Sequence, residues 1–147
     1  MPSQYSADMD LDELKQFLAK PRHNGWRVEG MEAVSVEPGH LVVRRQVTSD
    51  LLNFGRTLHG GAAATMVDVV GSLALVTGDK HGRYGVSTDL NVTWLAPAPE
   101  GEWIIIEARM LKMGKTLGYV SVDIRRESDG VLAVQGRMTK HMGDAPA

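Results

Sequence analysis

Hydrophobic positions along this 147-residue chain change their spacing from segment to segment, and each change marks an element. Leu11, Leu14, Phe17 and Leu18 recur at three to four residues, which predicts a short amphipathic helix from Asp10 to Leu18 that Pro21 ends. His23-Asn24-Gly25 reads as a loop, and Trp26 to Val36 as irregular chain entering a first strand. Pro38-Gly39 turns the chain into a second strand, His40 to Val47, so the two form a hairpin. After a loop from Ser49 to Thr57, Gly60 to Thr77 is an almost unbroken run of apolar and small residues. A helix apolar on nearly every side is a buried one.

Beyond the polar turn at Gly78 to Gly82, the period falls to two. From Gly85 to Trp94, Val86, Thr88, Leu90, Val92 and Trp94 alternate with Ser87, Asp89, Asn91 and Thr93, which predicts a strand with one wet or functional face. Pro97, Pro99 and Gly101 interrupt the chain before strands at Glu102 to Leu111, Leu117 to Arg126 and Val131 to Met142, with turns at Met113 to Thr116 and Ser128 to Gly130. Four consecutive strands read as an antiparallel meander with the long helix over one face: an α+β domain. Alternation sets Arg109, Tyr119, Asp123, Arg125, Gln135, Arg137 and His141 on the face away from that helix. The length suits a single domain over 1–147, residues 1–20 being an N-terminal extension that carries the short helix.

The long helix holds one acid, Asp68. At helical spacing Gly61, Ala64, Thr65, Asp68, Gly71 and Ser72 share a face that is small and polar-tipped, while Met66, Val67, Val69, Val70, Leu73, Leu75 and Val76 supply branched bulk elsewhere. A carboxylate there costs desolvation unless something partners it. The pattern leaves two readings of Asp68 open, a structural bond to a neighbouring strand or a functional acid.

Charge and composition narrow the chemistry. A net charge of −2 offers no global attraction to nucleic acid. The absence of cysteine removes disulfides and thiolate metal sites, and the five histidines stand singly, so no metal or other cofactor is expected. Asp68 at the centre of Gly60 to Thr77 argues against a membrane span. The acidic first twenty residues lack a signal core or an Arg-rich transit pattern, which suits the cytoplasm, with the mitochondrion as the alternative. Gly114-Lys115-Thr116 is not a phosphate-binding loop, because Arg109 stands where that motif needs glycine. Ser87, His59 and Asp68 could be drawn as a triad, but no G-x-S-x-G elbow is present. Lys112, Lys115, Arg137, Lys140 and His141 form a basic group that could hold phosphates or simply be solvated. What remains is His59-Gly60-Gly61 at a helix start, where unpaired backbone N–H groups and a positive dipole end can seat an oxyanion, with an acid further along the same helix.

Those residues resemble a family. N-x-x-G-x-x-H-G-G (Asn53, Gly55, His59, Gly60, Gly61), Asp68, G-V-S-x-D-x-N (Gly85 to Asn91), G-K-T-L (Gly114 to Leu117) and Q-G-R-x-T-K-H (Gln135 to His141) are similar to the hotdog-fold acyl-CoA thioesterases of the phenylacetate-degradation type. The likeness covers about Leu14 to Gly143. It implies a sheet wrapped round the long helix, a homodimer with a continuous sheet, pairing of two dimers into a tetramer, and sites at the dimer interface.

By position, the resemblance implies that the Gly60 N–H and the Asn53 amide polarise a thioester carbonyl. Asp68 then activates water, Ser87 orients it and His59 shapes the turn. Substrate contacts are implied for Gly61, Asp89, Trp94, Leu95, Ala96, Pro97, Ala98, Pro99, Lys112, Met113, Gly114, Lys115, Thr116, Leu117 and His141. Coenzyme A enters only as part of substrate and product. Helix geometry adds a constraint: Gly60 and Asp68 are eight residues apart, about 12 Å along the axis, too far for both to serve one carbonyl. The site is therefore expected to be composite, with Asn53 and Gly60 of one chain facing Asp68 of a second. The alternatives are a hotdog hydroxyacyl-thioester dehydratase, which His59 inside its turn disfavours, and a non-catalytic acyl-CoA binding module, which would not need Asp68.

Overall fold

The computed structural model describes residues 7–20 and 29–144. The first amphipathic run folds as α1 (Leu11–Ala19), started by a capping box in which Asp10 accepts from the Glu13 N–H and Glu13 returns the bond. Its Leu14 and Leu18 are buried against the sheet. The stop at Pro21, the loop at His23 to Gly25 and the start of the irregular stretch at Trp26 lie outside the described residues.

Six strands follow: β1 (Glu32–Glu37), β2 (His40–Gln46), β3 (Val86–Trp94), β4 (Trp103–Met113), β5 (Leu117–Arg126) and β6 (Leu132–His141). They form one antiparallel sheet in the order β1-β2-β4-β5-β6-β3. The predicted four-strand meander is therefore only half right. The run β4-β5-β6 is one, but β3 pairs with β6 at the far edge, and β2 takes the place beside β4. The cause is the connection after Trp94. Pro97 and Pro99 prevent a tight hairpin, and an eight-residue extended segment easily spans the three strand spacings, about 14 Å, that separate β3 from β4. That segment is tied down as it crosses: Leu95 N–H donates to Ala133 O (2.8 Å) and Gly101 N–H to Val47 O (2.8 Å).

The long apolar run is α2 (Gly60–Gly78), one residue longer than its pattern. It packs against β2, β3, β4, β5 and β6. Leu41, Val43, Ile104, Ile106, Val120, Val122, Ile124 and Met138 are buried with Met66, Val67, Val70 and Leu73 in the core between sheet and helix. Among the described residues α2 alone is long and apolar enough to cross a membrane, and here the sheet covers that apolar surface. The small-residue face is divided along its length. Gly61, Ala64, Thr65 and Asp68 keep solvent exposure, but Gly71 and Ser72 are buried. A side chain at Gly71 would press on Val120, Val122 and Met138 at 3.1–3.2 Å, so this glycine seats α2 on its own sheet rather than opening it to a second helix.

Candidate active site

The sequence brings the chain into α2 through a knot of backbone bonds. His59 N–H donates to Leu51 O at 2.7 Å and Leu58 N–H to Ala98 O at 2.8 Å. His59 then caps the helix, its Nδ1 accepting the Gly61 N–H at 2.9 Å, so the ring proton sits on Nε2. With Gly61 taken, the Gly60 N–H has no partner among the described residues. The Trp94 indole lies against Gly60 and donates to its carbonyl at 3.2 Å.

Asn53 stands across from this helix start. Its Oδ1 accepts the Thr57 N–H at 3.0 Å and its Nδ2 donates to Thr57 Oγ1 at 2.9 Å, which orients the amide and leaves one N–H uncommitted. Asn53, Thr57, Gly60, Trp94, Leu95, Ala96 and Pro97 together line an open cleft of about 400 Å3. Ala98 and Pro99, expected with them, serve differently: Ala98 is core, and Pro99 bridges to Thr57. Thr57 was not legible as a site residue; its only signal is the Asn-to-Thr spacing of a side-chain-closed turn.

Two turns along α2 lies Asp68. Ser87 Oγ donates to Asp68 Oδ1 at 2.7 Å and also reaches Met138 Sδ at 3.3 Å. Strict alternation had put Ser87 on one face with Asp89. The structure corrects this: a bulge between Ser87 and Asp89 shifts the register against β6, so Ser87 pairs with Lys140 and joins the helix side with Leu90, Val92 and Trp94, while Asp89 stays on the outer face. Gly85 makes the preceding turn with φ +68, where an added Cβ would strike His141 O at 2.5 Å. The expected wet face is also corrected, because almost all of β3 is exposed on both sides.

At the end of the sheet that holds Val86, Lys112, Lys115 and Thr116 are exposed, with Met113, Gly114 and Leu117 half-buried beside them. The turn is closed by Gly114 N–H to Leu117 O (2.8 Å), and Met142 N–H donates to Thr116 O (2.7 Å). His141 stands in register with both Val86 and Leu117, which brings it beside this turn. Arg83, which sequence reasoning did not single out, is the clip: it donates to Lys115 O at 2.8 Å, to Gly143 O at 2.9 Å and to both oxygens of Asp79. Burial pushes the Asp79 carboxyl upward, but the hydrogen bonds and charge of Arg83 outweigh it and hold the group below its ordinary value. Lys140 leaves the basic group altogether, since it is 1% exposed and points under α2.

A helix N-terminus with a free donor, an oriented amide beside it and a serine-held carboxylate on the same helix suit addition of water to a carbonyl. The chain belongs to the thioesterase superfamily, whose sequence model matches residues 55–133, and is a thioester hydrolase of the hotdog fold. It is 41% identical over 140 residues to acyl-coenzyme A thioesterase 13 of Homo sapiens, covering 95% of this chain and 99% of the relative. The Mus musculus protein of the same name is 43% identical over 139 residues, again covering 95% and 99%. The crystal structure of zebra fish thioesterase superfamily member 2 superposes with a TM-score of 0.87 at 36% identity, covering 92% of this chain and 99% of that one.

Proposed function

We propose that this protein hydrolyses acyl-coenzyme A thioesters to the free acid and coenzyme A. The observation that carries the mechanism is Asp68, an acid in the central apolar helix whose Oδ1 accepts from Ser87 while the residue keeps access to solvent. Asp68 takes a proton from water as the water oxygen attacks the thioester carbonyl. The Gly60 N–H and the uncommitted Asn53 N–H hold the resulting oxyanion. The C–S bond then breaks, the thiolate leaves and takes up a proton from solvent, and Asp68 gives up to solvent the proton it took from water, which restores the carboxylate. No further cofactor enters the scheme.

The functional unit in this reading is a homodimer, with two such dimers paired. The continuous α2 keeps Gly60 and Asp68 eight residues apart, about 12 Å, so Asn53 and Gly60 of one chain act with Asp68 of the other. The open edge of β3, with Val86, Leu90 and Trp94 exposed, supports it as the seam between chains. The coenzyme portion is assigned to Asp89, the Trp94 to Pro99 segment, Lys112 to Leu117 and His141.

Thiol release measured across a panel of acyl-CoA chain lengths tests the reading. Release that depends on Asp68 is the expected result. Tight acyl-CoA binding with no thiol released would replace hydrolysis by a binding role, and loss of water from a hydroxyacyl-CoA would replace it by dehydration.

A further inference from the structure

Behind Asp68 lies a buried lysine that the hydrolytic scheme leaves unused. Lys140, on β6, is 1% exposed. Its Nζ donates to Ser72 Oγ at 2.8 Å and sits 3.8 Å from the centroid of the Tyr84 ring. An ammonium is a costly way to fill space, since an apolar side chain of similar length would pack without desolvation.

Two routes lead from this ammonium to Asp68. Along α2, Ser72 follows Asp68 by four residues, which places their Cβ atoms on one face about 5–6 Å apart. Across the sheet, Lys140 is the register partner of Ser87, whose Oγ donates to Asp68 Oδ1 at 2.7 Å. Lys140, Ser72, Asp68 and Ser87 thus gather where β6, α2 and β3 meet.

From this grouping we infer that Lys140 is a positioning residue for hydrolysis: held under α2 by Ser72 and Tyr84, its buried charge keeps the Asp68 carboxylate directed at Ser87. The inference rests on Asp68 being the group that activates water. The ammonium meets Ser72 of α2 and the Tyr84 ring on the approach to β3, its backbone is in register with Ser87 of β3 and Gly118 of β5, and the adjacent His141 is exposed. Among the described residues, Asp68 supplies the negative charge that acts on it. Burial pushes the Lys140 ammonium down to about 8, and the charge of Asp68 opposes that fall.

The test is kcat and KM in the wild type, Lys140→Met and Lys140→Arg, with Asp68→Asn alongside. Lys140→Met should lower kcat by about tenfold or more with KM for acyl-CoA unchanged, and Lys140→Arg should restore it. A second measurement does not depend on Lys140→Met folding. The Lys140 13Cε resonance, assigned by its loss in Lys140→Arg, should titrate at lower pH in Asp68→Asn than in the wild type. An unchanged kcat in Lys140→Met, or equal Lys140 midpoints in the two proteins, overturns the inference while an inactive Asp68→Asn leaves the hydrolytic reading standing. An active Asp68→Asn would remove that reading and this inference with it.

Discussion

Asp68→Asn preserves the size of the side chain and its bond to Ser87 but removes the ability to take a proton. Hydrolysis should fall by roughly a hundred- to ten-thousand-fold, with the circular dichroism spectrum and acyl-CoA affinity little changed. Full thiol release would return Asp68 to the structural reading that its sequence context left open. Asn53 invites a comparable test through its partner. Thr57→Val keeps the shape of the side chain and removes the hydroxyl that receives the Asn53 Nδ2 donor at 2.9 Å. The amide then loses its fixed orientation, and kcat should drop with less change in KM, by less than the 2.7–4 kcal/mol typical of deleting an oxyanion donor outright. Equal kcat in Thr57→Val and the wild type would show that the turn holds Asn53 without its hydroxyl.

Elements hold these side chains in place. Gly71→Val would force a branched side chain towards Val120, Val122 and Met138 and should cost about 1–3 kcal/mol by urea denaturation, lifting α2 and Asp68 off the sheet. The clip at the start of β3 is electrostatic. Asp79 is 2% exposed, and Arg83→Met would strand its charge, at a cost of about 3–5 kcal/mol. The pair also sets a pH window: because the Asp79 carboxyl is held below its ordinary value in the folded chain, its contribution is complete above about pH 4 and is lost as pH falls through the depressed value. Denaturation midpoints should decline on acidification in the wild type, and the part of that decline due to Asp79 should be missing in Arg83→Met. An identical pH profile in both proteins would remove the pair from the acid response.

For the whole molecule the question is what completes the site. Asn53→Ala and Asp68→Asn, each inactive alone, should regain activity when unfolded and refolded together, since half of the composite sites in a mixed dimer carry neither substitution. Mixed dimers as inactive as their parents would place the site within one chain. At the coenzyme end, an acyl-pantetheine that lacks the nucleotide should be a poorer substrate than acyl-CoA, and rising salt should weaken acyl-CoA binding by screening the exposed Lys112 and Lys115. Equal kcat/KM for both substrates would take those lysines out of the site.

Local pattern determined more of the elements than of their arrangement. The spacing of Leu11, Leu14, Phe17 and Leu18, the apolar run after Gly60 and the alternation in β4 to β6 each specify an element, because burial on one face imposes a period that survives in the sequence. Among the candidate residues, Asp68 was legible because an acid stands out in an apolar helix and Gly60 because it opens that helix, whereas Asn53 and Ser87, at polar positions, were legible only through the joint spacing that matches a family. Strand order was not legible, since the crossing of Leu95 to Glu102 depends on anchors at Ala133 and Val47 that are far away in the chain. Nor was the bulge in β3, because one unpaired residue leaves the hydrophobic alternation intact while reversing which face Ser87 occupies. Lys140 shows the limit most plainly: among basic neighbours a lysine reads as surface, and only the packing of β6 under α2 decides that its charge is buried beside Ser72.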